Sequence, residues 1–177
     1  MKDRRGFTLI EIIIVIAIVG IVAVIATTNL SLWQGHYSVV GFQREFLSQI
    51  GEARTRSVAS SRQHRLLIDQ GAESVTLQRG NAGNGSTAWA NVGRPVVGSR
   101  GAGIDNVVCT PSVALPSSFA LVFNADGGVL LQPDPANAAT SSLTEAHVHI
   151  SATNVADRST IRLFGWTSKA RLENGWL

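Results

Sequence analysis

The sequence predicts an α+β chain. A long N-terminal α-helix, transmembrane in its first half, packs its second half on a small antiparallel β-rich C-terminal domain. Three observations predict this. Ile12 to Ala26 holds no charged or hydrogen-bonding side chain, and counted from Phe7 to Ala26 the apolar helix has 20 residues, about 30 Å and enough to cross a bilayer's hydrocarbon core. Farther on, apolar residues recur every three or four positions, at Leu30, Trp33, Tyr37 and Val40 and in a second row at Val39, Phe42, Phe46, Ile50 and Ala53, which is helical periodicity. After residue 62 the pattern turns to short alternating stretches bounded by Gly, Asn and Pro, the mark of strands and turns.

Length and charge narrow the classes. The chain has 177 residues, 45% apolar and 15% charged, enough for one domain beyond the apolar segment. The formal charge of +3 sits mainly at the front, because removing residues 1–6 takes three basic groups and one acidic group and leaves 12 against 11. The body is nearly neutral. The basic flank of Lys2, Arg4 and Arg5 follows the positive-inside bias and gives no support to a polyanion-binding body. A lone Cys109 cannot form an intrachain bridge and reads as a small buried residue.

The first segment resembles a secretory signal in order, and Val24-Ile25-Ala26 offers a small-residue cleavage site. Two features argue against that. Glu11 sits five residues into the apolar run, where a carboxylate costs about 2.5 to 3.5 kcal/mol on insertion scales and so needs a partner. Gly6 stands between the charges and the apolar run. Cutting after Gly6 creates an amine on Phe7 one helical turn from Glu11, able to pair with it in the same helix or in a staggered neighbour.

Arg4-Arg5-Gly6-Phe7-Thr8-Leu9-Ile10-Glu11 resembles the class III leader and cleavage site of type IV pilins and type II secretion pseudopilins. The resemblance implies that a prepilin peptidase cuts between Gly6 and Phe7 and methylates the Phe7 amine, and that Glu11 serves assembly into a helical filament. It implies as partners other pilin or pseudopilin subunits, the peptidase, and an inner-membrane assembly platform driven by a cytoplasmic ATPase. The implied location is the bacterial inner membrane, crossed once, with the C-terminal domain in the periplasm. Residues 1–6 are then leader, 7–27 the transmembrane and filament-core helix, 28–61 its amphipathic continuation, and 62–177 the β-rich domain. Thr28 stands where many major pilins carry a helix-bending Pro.

In the body, strands are expected over Gln63 to Asp69, Ser74 to Gln78, Phe119 to Phe123, Gly128 to Gln132, Ala146 to Ala152 and Thr160 to Phe164. Asn124-Ala125-Asp126-Gly127-Gly128 predicts a hairpin turn. Gly80 to Pro116 and Pro133 to Ser142 read as surface loops. The end of the helix at Ala53-Arg54 and Ser57-Val58-Ala59, the stretch Val122 to Gly127 and the strand Ile161 to Gly165 resemble the pseudopilin subfamily called GspH or FimT.

Other chemistry finds little footing. His147 and His149 alternate on a strand, but two imidazoles without nearby Cys or clustered acid do not complete a metal site. The chain lacks a Gly-x-Ser-x-Gly elbow, and Gly80 to Gly85 lacks the Lys of a phosphate-binding loop. No enzyme activity, metal or cofactor is expected. The rival is DNA capture, because some FimT-like minor pilins of competence pili bind DNA through a basic segment after the last strand's Gly. That segment reads Gly165-Trp166-Thr167-Ser168-Lys169-Ala170-Arg171. Trp166 replaces the expected base, while Arg162, Lys169 and Arg171, with Arg158 nearby, remain to meet phosphates and Trp166 or Trp176 to stack on a base.

Overall fold

The structure is a computed structural model and describes residues 8–175 except 100 and 154, with the side chains of 28–32 and 155 also left aside. Its helix α1 spans Leu9–Ser60. The chain divides into two compact parts, Met1–Gln34 and Gly35–Leu177, described in turn.

In the first part, α1 carries the apolar span Leu9–Thr27, 19 residues with a mean hydropathy of 3.2, none of it buried. Leu9, Ile10, Ile16, Val19 and Ile21 all lie open. A helix that is apolar on every side and uncovered needs lipid or other helices around it. Thr27 Oγ1 donates to the carbonyl of Val24 at 2.8 Å, so this hydroxyl is satisfied inside its own helix.

In the second part, α1 runs from Gly35 to Ser60 and buries Val39, Phe42, Phe46, Ile50 and Ala53. Their spacing of three and four forms one stripe. Ser61 takes a left-handed φ of 51°, which ends the helix at the place the sequence predicts. Eleven strands follow among the described residues. They are β1 (His64–Asp69), β2 (Ser74–Gly80), β3 (Trp89–Asn91), β4 (Val96–Val97), β5 (Ala102–Thr110), β6 (Ser118–Phe123), β7 (Val129–Gln132), β8 (Ser141–Ser142), β9 (Glu145–Ala152), β10 (Val155–Phe164) and β11 (Ala170–Asn174).

They form two antiparallel sheets. One has the order β3-β2-β1-β6-β7-β8, with β4 also beside β2, and the other β11-β10-β9-β5. Leu66, Ile68, Leu77, Phe119, Leu121, Phe123 and Leu131 of the first join Val148, Ile150, Ile161 and Leu163 of the second and the α1 stripe in one core. The sheets meet at Gly165, which donates to the carbonyl of Thr144 at 2.9 Å and accepts from Val129 at 2.7 Å. A Cβ on Gly165 would collide with the carbonyl of Leu143, so this junction admits no side chain.

The architecture is α+β, as the sequence predicts. The turn at Asn124–Gly128 joins β6 to β7, with Gly127 at φ 89° and Asn124 N–H donating to Gly128 O at 2.9 Å. Two loop readings are corrected. Gly80 to Pro116 holds β3, β4 and the nine-residue β5, and Pro133 to Ser142 ends in β8. β5 escapes a period-two reading because its register slips between Ile104 and Asn106. That bulge puts Asp105 and Asn106 side by side in the open and breaks the alternation.

Candidate functional site

Gly6 and Phe7, where cleavage and methylation are expected, lie outside the described residues. Glu11 is described, in the first turn of α1. Its Oε2 accepts from the backbone N–H and the hydroxyl of Thr8, each at 3.2 Å, and its own N–H donates to Thr8 Oγ1 at 3.3 Å. The carbonyl of Thr8 accepts from Ile12 N–H at 3.3 Å. Thr8 is therefore the N-cap and Glu11 the third residue of a reciprocal capping box. Its sequence signature is Thr8-x-x-Glu11 just ahead of the apolar run. Within the span the carboxylate is hydrogen-bonded locally and exposed beside uncovered aliphatic side chains. It gains from the positive end of the helix dipole there.

The C-terminal hairpin of β10 and β11 carries the residues considered for phosphate contact. Arg162 is engaged. It is ion-paired with Glu145, lies 3.7 Å from Glu173 and stands over the Phe164 ring at 5.0 Å. The hydrogen bond from Arg162, more than any other cause, holds the Glu145 carboxyl below its ordinary range. Trp166, on the hairpin turn, is 81% exposed, and Lys169 and Arg171, three and five residues farther on, are also exposed. Among the described residues neither cation has an ion-pair partner, and Arg171 sits directly across from Arg162 in the ladder. Trp176 lies outside the described residues. The structure thus separates the four residues into one committed arginine and an open trio.

His147 Nε2 lies 3.2 Å from Glu145, and His149 is buried, its pKa lowered first by desolvation and then by His147. Among the described residues no group of three His, Cys, Asp or Glu side chains comes together to hold a metal. Cys109 is buried, and burial pushes its thiol up to about 11, which keeps it protonated and unreactive at neutral pH.

Sequence reasoning missed Arg65. It is only 5% exposed and meets no carboxylate among the described residues. Its Nε donates to Gln78 Oε1 at 2.7 Å, its Nη1 donates to Gln132 Oε1 at 2.8 Å and to the Pro135 carbonyl at 3.0 Å, and its guanidinium stacks on Trp89 at 4.3 Å. Burial lowers its pKa to about 10, so it stays charged at neutral pH. A fork of fixed donors suits it to hold the loop between β7 and β8 over the sheet.

Comparison with known proteins bears on the front of the chain. Residues 1–27 match the family model described as the prokaryotic N-terminal methylation motif. No curated protein and no solved structure matches the chain. The motif implies processing by prepilin peptidase and assembly with other pilins, and with the apolar helix it supports membrane anchoring. It suggests a structural rather than a catalytic role. Together the methylation motif, the uncovered helix and the two antiparallel sheets support a type IV prepilin-like protein of pilin-like α+β fold.

Proposed function

We propose that the chain is a minor pseudopilin of a type II secretion pseudopilus, or a minor pilin of a type IV pilus, of the GspH or FimT kind. Prepilin peptidase removes residues 1–6 and methylates Phe7. The helix then leaves the inner membrane for the core of a filament while the β-rich domain stays in the periplasm. The observation that carries this reading is the single carboxylate of Glu11 in a span of 19 residues with no buried face, within a matched methylation motif.

The capping box supplies a sharp test of Glu11. Gln serves at the third position of a capping box as Glu does, but carries no charge. If Glu11 pairs with the Phe7 amine of a neighbour, Glu11→Gln and Glu11→Ala both leave membrane insertion and cleavage intact and both reduce incorporation into the filament about tenfold or more, as loss of a charge pair in a low-dielectric setting requires. Normal incorporation of Glu11→Gln with loss in Glu11→Ala would reduce Glu11 to a helix cap.

One observation favours a second reading, a DNA-binding minor pilin of a transformation pilus: Trp166, 81% exposed, is followed within five residues by the exposed Lys169 and Arg171. With Arg162 committed to Glu145 and Glu173, only two cations of the segment remain to meet phosphates, and two contacts bind weakly at physiological salt.

A further inference from the structure

β11 ends its sheet and is an open edge. The phase of its ladder follows from two bonds: Phe164 N–H donates to Lys169 O at 2.9 Å and Gly175 N–H donates to Arg158 O at 2.8 Å. Residues 169, 171, 173 and 175 therefore bond toward β10, and Ala170, Leu172 and Asn174 turn their N–H and C=O outward. Among the described residues those outward groups meet no partner. The other edges are blunted. β3, β4 and β8 have only two or three residues, and β5 carries the bulge at Asp105 with Gly98 crowding the Ala102 carbonyl at its start. Short strands, bulges and charges are how edges are protected. β11 keeps an unbroken five-residue register with no bulge, and its charged residues, Arg171 and Glu173, alternate with the outward-bonding Ala170, Leu172 and Asn174.

The space beside β11 is already shaped. Between its start and α1 lies a hollow of about 430 Å³ lined by Leu47, Ile50, Gly51, Arg54 and Lys169. Between its end and α1 lies another of about 480 Å³, reaching Val39, Val40 and Asn174. Leu172, 42% exposed and in register with the buried Ile161, lies between the two along the strand. The first hollow is cationic. Arg54, Lys169 and Arg171 line it and no carboxylate does. Two acids close to it in sequence are engaged elsewhere, Glu52 with Arg56 at 2.7 Å and Glu173 with Arg162 at 3.7 Å. The second hollow holds both signs, with Asp157 in contact with His36 and followed by Arg158.

We propose that β11 accepts an added β-strand from another polypeptide, an extended segment of about five residues with small or apolar side chains facing α1 and a carboxylate at the end nearest Arg54 and Lys169. Alternating outward N–H and C=O groups call for a chain that both donates and accepts at each step. A peptide does, whereas a phosphodiester backbone offers acceptors only, so the edge favours protein over nucleic acid. This surface is independent of the filament role of Glu11.

Amide hydrogen exchange of the full-length chain in detergent micelles tests it. The probes are the peptide acetyl-EVTVTV-amide, its glutamine analogue acetyl-QVTVTV-amide and single-stranded oligothymidylate, at about 0.15 M salt where exposed charges are screened. The acidic peptide is expected to slow exchange at Ala170, Leu172 and Asn174 and to bind about fivefold tighter than the glutamine analogue, an advantage lost in the double variant Arg54→Gln, Lys169→Gln. Leu172→Pro removes one outward N–H and leaves the bonds to β10, so it should weaken the peptide about tenfold. Asn174→Pro, on the same outward phase, is the second arm should Leu172→Pro unfold. Absence of protection at these amides, unchanged binding by both proline variants, or stronger protection by oligothymidylate than by the peptide overturns the proposal.

Discussion

Gly165, Thr8 and the buried titratable groups are where single side chains decide most. Gly165→Ala forces a methyl against the Leu143 carbonyl at the junction of the sheets. It should cost about 1–3 kcal/mol, as overpacking does, read as a lower urea midpoint for the full-length chain in detergent. Acid should destabilise the body in two stages. Burial, first, and the nearby Arg56 and Arg79 lower the pKa of His64, and burial lowers that of His149, from 6.5. The unfolded chain therefore binds more protons than the folded one as pH falls through 6.5, and stability drops toward the lowered folded values. Glu145, held below 4.5 by Arg162, stabilises above that pH, and its contribution is lost as pH falls through the folded value. A urea midpoint flat from pH 7.5 to 5 would contradict the first stage, and His149→Gln should reduce it. At this scale the sequence already held the acid and its spacing from the proposed cleavage point. It also held the Thr8-x-x-Glu11 pattern, whose second meaning emerged only once the helix start was fixed. Arg65 was not legible, because its acceptors, Gln78, Gln132 and the Pro135 carbonyl, come from three distant strands and loops.

At the scale of elements, α1 does different work along its length. Phe46, fully buried in the core stripe, should cost about 3–5 kcal/mol when cut to Ala, measured as loss of folded body. Changes among Ile12 to Val19 should leave that midpoint alone, since none of these side chains is buried. The loop from β7 to β8 is held through Arg65 and through Gln132, which donates to the Asn137 carbonyl. Arg65→Ala removes charge-assisted bonds worth about 1.5–3 kcal/mol each and should raise amide exchange at residues 135–139, whereas unchanged exchange would show that the loop stands without it. The helix and hairpins were readable where the hydrophobic period stayed regular, as in α1, β1, β6 and β7. β5 was not, since its bulge breaks the period, and β3, β4 and β8 are too short to carry one.

For the whole molecule, the division of labour follows from where apolar surface goes. The body spends its apolar residues on one core shared by two sheets and α1, while the span Leu9–Thr27 keeps all of its own uncovered. In the proposed role that surface meets lipid before assembly and neighbouring helices after it, and since such a transfer gains little from water release, packing and the charge of Glu11 would direct it. All of this requires the leader to be gone and a new amine to stand at Phe7. Intact-mass and N-terminal sequencing mass spectrometry of the chain isolated from its native membrane tests that most directly. The account predicts a protein beginning at an N-methylated Phe7. A chain retaining residues 1–6, or one beginning at Thr27 after an ordinary signal cleavage, would contradict it.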